Sequence, residues 1–138
     1  MSATTSTKQV KLTILIKKLD TLSTEEFHHY WRVEHPKAWL SVAIVKANVL
    51  KYSQFHVNNP VTEDLKTKGL PMAGYDGGVN IYAGSVEELM AVFQDEEYLR
   101  VVVPDEEKFL KRSEGIMMLG WEDVVWVDGK EIPASSDA

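Results

Sequence analysis

Hydrophobic and polar residues alternate along two stretches of the chain, and this pattern predicts two β-strands. In residues 10–17, apolar residues occupy every second position and several of them are β-branched. In residues 49–57, the alternation places Tyr52, Gln54 and His56 on one face. We expect both strands to bury one face against the rest of the protein.

Two capping boxes predict where helices begin. Ser23 is followed three residues later by Glu26, and Ser85 is followed in the same way by Glu88. In this motif the serine side chain accepts a backbone N–H of the first helical turn while the glutamate reaches back to the serine backbone. The first helix should run to about Glu34 and the second to about residue 93.

The remaining segments complete the predicted order of elements. Pro36 disfavours an α conformation at His35 and suits the first position of a separate helix over residues 36–48, which is apolar nearly all round. Residues 58–76 contain Asn58-Asn59-Pro60 and predict a long loop, which leaves open whether it acts as a lid. The other segments are predicted as a strand over 78–83, helical pieces over 95–103 and 104–112, and a strand over 117–127 that ends at the turn signal Asp128-Gly129.

The resulting order, β-α-β-β-α-β, predicts an α+β protein of the ferredoxin-like type. This arrangement is a four-stranded antiparallel sheet with helices on one face. Residues 8–130 should form the single domain, and residues 1–7 and 131–138 should be flexible termini. Because little chain remains to cover the second face of the sheet, we expect a second copy to cover it in a homodimer.

Composition excludes several classes of binding partner and several kinds of reactive site. The 138 residues include 21 Asp and Glu against 15 Lys and Arg, a net charge of −6, which disfavours a nucleic-acid partner. The absence of cysteine excludes disulfides, thiolate nucleophiles and cysteine-based metal sites, and it fits a cytoplasmic, intracellular protein. No apolar run approaches the ~20 residues of a membrane-spanning helix, so we expect no membrane partner.

The first helix is unusually rich in histidine and aromatic residues. At 100° per residue, Phe27, Trp31 and His35 form one stripe, with His28 on its flank and His29 roughly opposite. We therefore expect His35 to face inward beside aromatic rings, His28 to do so less securely, and His29 to meet solvent.

An inward imidazole in an aromatic pocket is suited to general acid–base chemistry, because its pKa lies near the working pH. The competing interpretation is a core histidine that is hydrogen-bonded to backbone, and for His35 the two interpretations weigh about equally. A metal site made by His28, His35 and His56 is less favoured, because two ligands seven residues apart stand two helical turns from each other. The chain has no motif for nucleotide phosphates and no esterase nucleophile elbow.

The segment that contains these residues resembles the signature of EthD-domain proteins, members of the dimeric α+β barrel superfamily. The core of that signature is Phe-x-x-Tyr-Trp-x-x-x-His, matched here by Phe27, Tyr30, Trp31 and His35. The length, the acidic character and the continuation through Trp39 resemble fungal members found with aromatic polyketide pathways. Some of these are assigned as decarboxylases of atrochrysone carboxylic acid-type precursors.

The resemblance implies a homodimer, a pocket between sheet and helices for a small aromatic polyketide substrate, and chemistry without a cofactor or metal. On this basis we expect a decarboxylase in which His35 is the catalytic acid or base, assisted by His28. The role of His28 is inferred from helix geometry, because the signature does not require it. The expected substrate-binding residues are Phe27, Tyr30, Trp31, Trp39, Tyr52 and His56.

Two alternatives remain open at this stage. The same fold and pocket also suit polyketide cyclisation, dehydration or cofactor-free oxygenation of an anthrone. A protein of another class, which binds aromatic ligands without turnover, would need the pocket but not the histidine.

Overall fold

The computed structural model describes residues 8–134 and has the predicted β-α-β-β-α-β order of its main elements, although several element boundaries differ and the predicted division at Pro104 is replaced by one continuous helix. The strands are Val10–Ile16 (β1), Val49–His56 (β2), Gly77–Ala83 (β3), Ile116–Gly120 (β4), Trp126–Val127 (β5) and Lys130–Glu131 (β6). The helices are Thr24–His29 (α1), His35–Trp39 (α2), Ala43–Asn48 (α3), Asn59–Thr67 (α4), Val86–Gln94 (α5) and Glu96–Glu106 (α6), with a π-helical turn at Tyr30–Glu34 and a 3₁₀ turn at Arg112–Glu114.

Four strands form one antiparallel sheet in the order β2-β3-β1-β4. The predicted ferredoxin-like α+β fold is therefore confirmed. Alternate residues of each strand face the helices, as Leu12 and Ile16 of β1 do, and the core lies between this face and the helices. Within residues 8–134, no helix packs on the opposite face of the sheet.

The first helical region differs from the prediction, because Pro36 does not end it. The chain stays helical from Thr24 to Trp39, and His35 has ordinary α-helical dihedral angles. The π-helical turn explains this continuity: the N–H of His35 bonds to the carbonyl of Tyr30, five residues earlier. Proline has no N–H to donate, and the widened turn just before it accommodates the ring.

The predicted second helix over 36–48 is also wrong, since it breaks at residues 40–42. The hydroxyl of Ser41 donates to the carbonyl of Ala38, which ends α2 by competing with the helical backbone. Val42 is extended, and the side chain of Glu97 accepts the first free amide of α3, from Ala43. This acceptor lies 54 positions away, so local sequence does not reveal the break.

Residues 58–76 are not simply a loop. Asn58 caps α4 by accepting the N–H of Val61, and Pro60 occupies the first turn of the helix, where its missing N–H costs nothing. The Asn-Asn-Pro sequence taken as a turn signal is thus a helix start. After α4 the chain returns to the sheet, where Asp76 accepts the N–H of Lys18.

The last predicted strand is two separate elements. β4 ends at Gly120, and β5 pairs with β6 in a hairpin closed by Asp128 and Gly129, both with positive φ. The turn signal is therefore confirmed, while the single strand over 117–127 is wrong. Of the predicted flexible ends, Glu131 pairs with Trp126, and residues 1–7 and 135–138 lie outside the described residues. None of the helices within residues 8–134 is long and apolar enough to cross a membrane.

Candidate active site

A cavity of about 150 Å³ lies between the helix-facing side of the sheet and helices α2 and α6. Its wall is mostly apolar and aromatic, with a small set of polar groups, as is usual for small-molecule sites. The residues that give it this character are Trp31, Trp39, Phe93, Ile14, Val79 and Ile81. The polar groups are His35, Tyr52, Tyr98, Glu106, Lys111 and Arg112.

His35 is held from behind by a buried carboxylate. Its Nδ1 lies 2.6 Å from Oδ2 of Asp105, and both residues are buried. The second oxygen of Asp105 accepts a 2.6 Å hydrogen bond from the hydroxyl of Tyr30. Burial, reinforced by the bond to Asp105, raises the pKa of Tyr30 to about 12, so this hydroxyl stays protonated and continues to donate.

This arrangement fixes the chemistry available to the imidazole. A carboxylate accepts hydrogen bonds only, so Nδ1 of His35 carries the proton that points at Asp105. Among residues 8–134 no protein group bonds to Nε2, and the histidine lines the cavity. Nε2 is therefore available to a guest, as an acceptor when the ring is neutral and as a donor when it is protonated.

A second acidic group lies beside the histidine. Burial raises the pKa of Glu106, although the guanidinium of Arg112 lies 2.8 Å from its Oε1 and opposes this shift. Only Nε of Arg112 makes that bond, so its two terminal nitrogens have no hydrogen-bond partner among the described residues. The cavity therefore combines an imidazole, a carboxyl group and a cation with free donors.

Hydrogen bonds to the Tyr52 hydroxyl and ring packing hold the aromatic side chains on the sheet side of the cavity in place. Trp31 donates its Nε1–H to the hydroxyl of Tyr52, and Trp39 packs against the Tyr52 ring at 4.3 Å between centroids. Gln54 donates to both the carbonyl of Trp31 and the Tyr52 hydroxyl. Burial raises the pKa of Tyr52, so the ring presents a neutral surface.

His28 and His56 form a pair of their own and do not line the cavity. Their Nδ1 atoms are 2.6 Å apart, while Nε2 of His28 meets the carbonyl of Val57 and Nε2 of His56 meets Oε1 of Gln54. Both outer partners are acceptors, so both Nε2 atoms donate. Burial and then the charges of His28 and Arg32 lower the pKa of His56, which disfavours a second proton.

Of the eight residues predicted for the site, four line the cavity and four do not. His35, Trp31, Trp39 and Tyr52 line one cavity. Phe27 is fully buried in the core. Tyr30 lies behind His35 on Asp105, and the His28–His56 pair joins the first helix to β2. No residue of the 58–76 segment lines the cavity.

Asp105 and Glu106 were missed by sequence reasoning, although one signal for Asp105 exists. Tyr98, Val102, Asp105 and Phe109 recur at intervals of four, three and four residues, which is one face of a helix, and all four are buried. An aspartate within an otherwise apolar helical stripe is unusual and needs a partner. That partner is His35, 70 positions earlier.

The three histidines proposed as a metal site do not come together. No group of three or more His, Cys, Asp or Glu side chains in residues 8–134 is arranged to hold a metal ion. A metal-ligand role for His28, His35 and His56 therefore finds no support in the geometry.

Comparison with known proteins now adds the family. Residues 19–113 match the EthD domain, a span that includes most of the residues around the cavity. The chain belongs to the EthD domain family. No curated protein is similar enough in sequence to match this EthD-domain chain.

Solved structures with the same fold are distant in sequence. An ethyl tert-butyl ether D (EthD) family protein from Bacillus halodurans is 16% identical, with a TM-score of 0.57 over 83% of this chain and 99% of that one. Hydroxynitrile lyase from Passiflora edulis is 10% identical, with a TM-score of 0.59 over 86% and 96% of the two chains. A dimeric ferredoxin-like protein of unknown function from Bacteroides fragilis is also 10% identical, with a TM-score of 0.55 over 83% and 96%. At these identities the likeness establishes the fold of the EthD-domain chain and no more.

Proposed function

We propose that this protein is a cofactor-independent decarboxylase that acts on an aromatic polyketide carboxylic acid of the β-keto type. The observation that supports this most directly is the arrangement of His35: Nδ1 is bound by Asp105, and Nε2 faces an aromatic cavity with no hydrogen-bond partner in the described part of the chain. Loss of CO₂ from a β-keto acid needs a proton donor at the ketone oxygen and a dry pocket, and neither requirement involves a metal or an organic cofactor.

In the proposed reaction, protonated His35 donates from Nε2 to the ketone oxygen of the substrate. The bond between the α-carbon and the carboxylate breaks, its electron pair forms the carbon–carbon double bond of an enol, and CO₂ leaves. The enol then returns to the ketone: the α-carbon takes a proton from solvent, and the enol hydroxyl gives its proton back to Nε2 of His35. Asp105 stabilises the imidazolium during these steps and keeps Nε2 directed at the guest.

Substrate binding would use the aromatic wall and the cation. Trp31 and Trp39 offer flat surfaces to a ring system, and the free donors of Arg112 suit an entering carboxylate. A cavity of about 150 Å³ holds roughly one benzene ring. A polycyclic acid must therefore displace side chains, and Leu99 and Met117, both exposed where they line the cavity, are the natural candidates.

The comparisons support an enzyme of this general kind. The EthD domain covers the site, and a hydroxynitrile lyase shares the fold, so the scaffold accommodates lyase chemistry on small molecules. We assign the finer identity, a decarboxylase of polyketide acids, on the resemblance of the helix signature together with the state of His35.

We also propose a homodimer that forms through the helix-free face of the sheet. Strand register places Phe55, Gly78, Leu15 and Ile116 in one row across this face, and the two end residues are more than half exposed. Two of the structural relatives are described as dimeric, which supports a second copy as the cover.

The test compares turnover by the native chain, His35→Gln and His29→Gln. His29 is an exposed histidine of the same helical region, so its replacement controls for the loss of an imidazole. We expect His35→Gln to lower kcat/KM for an aromatic β-keto acid by about 10²–10⁴-fold and His29→Gln to leave it unchanged. A normally folded His35→Gln protein with native turnover would remove the assignment.

The same assay separates the alternatives by product. A mass loss equal to CO₂, with and without oxygen, is the expected result. Oxygen dependence would indicate an oxygenase, and loss of water or no mass change would indicate a dehydratase or cyclase. Tight binding of aromatic acids without any product would indicate a binding protein.

A further inference from the structure

The residues after β4 form an apolar arm that nothing covers. Six of the nineteen large hydrophobic side chains exposed within residues 8–134 lie after β4, between Trp121 and Ile132. Within the arm, which we define as residues 121–134, Trp121 is 63% exposed and Trp126 is 67% exposed. Ordered apolar surface of this extent usually marks a site of protein association.

The arm has a defined conformation within the single chain. Its base is fixed to the sheet by Glu122, which accepts from Lys11 and from the Tyr82 hydroxyl. Its tip is the β5–β6 hairpin, extended by a 2.8 Å bond from the N–H of Ile132 to the carbonyl of Val125. A pre-ordered arm loses little conformational entropy when it docks.

A groove that complements the arm lies at the opposite edge of the sheet. It has a volume of about 640 Å³ and runs between the edge strand β2 and helices α2 and α3. Its apolar lining includes Leu40, Val45 and Leu50. The free backbone edge of β2 lies beside it, and such edges readily accept another extended segment.

The charges of the groove and of the arm are of opposite sign, which also favours docking of the arm into the groove. The ionised side chains that line the groove are all basic, namely Arg32, Lys46 and Lys51, and no carboxylate among residues 8–134 forms an ion pair with any of them. The arm carries the opposite sign: Glu122 and Asp123 pair with Lys11 and Lys8 of the same chain, and Asp128 and Glu131 still outnumber the arm's one basic residue, Lys130. In a protein of net charge −6, a wholly basic groove is a local exception.

We propose that the arm of one protomer docks into the β2-edge groove of a second copy of this chain. β2 and β4 are the two outer strands of the sheet, so the arm leaves one edge while the groove lies at the other. A fully buried tryptophan contributes about 150–250 Å², and about two-thirds of each indole is still exposed, so the four indoles of two exchanged arms supply at most roughly 400–650 Å² of the ~1,600 Å² in a standard interface. This inference rests on the homodimer of the proposed function.

The docked arm would also complete the candidate active site. Trp39 and Tyr52 line both the cavity and the groove, so these two rings form the wall between them. An arm in the groove covers the outer side of that wall and excludes water from it. Each cavity is then closed by Trp39 and Tyr52 of one protomer and by the arm of its partner.

Site-directed disulfides test the docking directly, because the native chain contains no cysteine. We would prepare Val125→Cys and Leu50→Cys as separate proteins that differ in mass by a tag, let their subunits exchange, and oxidise the mixture. We expect the mixed disulfide to be the main cross-linked product. In the control, Met90→Cys, an exposed apolar position on α5 outside the groove, replaces Leu50→Cys and should yield little mixed product.

Three outcomes would overturn the inference: a mixed disulfide no more abundant than in the Met90 control, a dominant Val125–Val125 product, or a native chain that is monomeric at micromolar concentration.

A second measurement tests the same docking without introducing cysteine. Lys46→Glu combined with Lys51→Glu should raise the dimer Kd at least ~10-fold at low salt, whereas Arg100→Glu, an exposed arginine on α6, should not. Neither the disulfide yield nor the dimer Kd depends on enzyme activity, so a failure of this inference can be distinguished from a failure of the decarboxylase assignment.

Discussion

At the scale of single residues, Asp105 determines what His35 is able to do. The aspartate holds Nδ1 at 2.6 Å and is itself held by Tyr30, so the ring has one orientation and one available nitrogen. Without this carboxylate, the buried imidazole would have no fixed orientation and no negative charge to stabilise the protonated ring that donates from Nε2. We regard Asp105 as a positioning residue that acts through His35.

We predict that Asp105→Asn preserves the fold and impairs the reaction. An asparagine of the same shape has no negative charge to stabilise the imidazolium that the proposed reaction needs, and its N–H can donate to Nδ1, which leaves the ring neutral. Turnover should fall about 10²–10⁴-fold with KM little changed, and the pH–rate profile should change shape because the carboxylate no longer stabilises the imidazolium. Glu107→Gln, an equal loss of charge at an exposed site two residues away, is the control. Native turnover and an unaltered profile in Asp105→Asn would contradict this role.

Residues of the site that share one helix were predictable, whereas partners from elsewhere in the chain were not. The stripe of Phe27, Trp31 and His35 follows from helical periodicity, and all three are buried as expected. Asp105 is different, because its contact with His35 depends on how α6 packs against α2. The pairing of His28 with His56 depends in the same way on the position of β2.

At the scale of elements, capping motifs and alternation predicted the order of strands and helices, but the ends of elements depended on distant contacts. Both capping boxes start helices where expected. The continuation through Pro36 required a π-helical turn, and the break after Trp39 is stabilised by Glu97. Neither feature has a local sequence signal.

Strand β3 packs closely against the first helical region at Gly77, so we expect a larger side chain at this position to lower the stability of the fold. A Cβ at this position would lie 2.6 Å from the Trp31 indole and 2.9 Å from the carbonyl oxygen of Phe55. We expect Gly77→Ala to lower the free energy of unfolding by about 1–3 kcal/mol, because either the backbone or Trp31 must move. Urea unfolding measures this, with Gly74→Ala as the control, since a Cβ there meets nothing within 4 Å. Equal stability of the two variants would contradict the close packing of β3 on Trp31.

At the scale of the whole molecule, one chain leaves two surfaces uncovered. The helix-free sheet face exposes Phe55 and Ile116, and the arm exposes Trp121 and Trp126. The expectation of a second copy came from the number of layers that the sequence predicts, because a sheet with helices on one side has one bare face. The arm was not foreseen, since its apolar residues were assigned to a continuous last strand of the sheet.

The central claim is that Nε2 of His35 contacts an aromatic guest in the cavity. A crystal structure with an aromatic hydroxy acid that lacks the labile β-keto group tests it most directly. The account predicts a ligand oxygen within about 2.6–3.2 Å of Nε2 and a ring packed against Trp31 and Trp39. A ligand bound elsewhere, with Nε2 of His35 untouched, would contradict it.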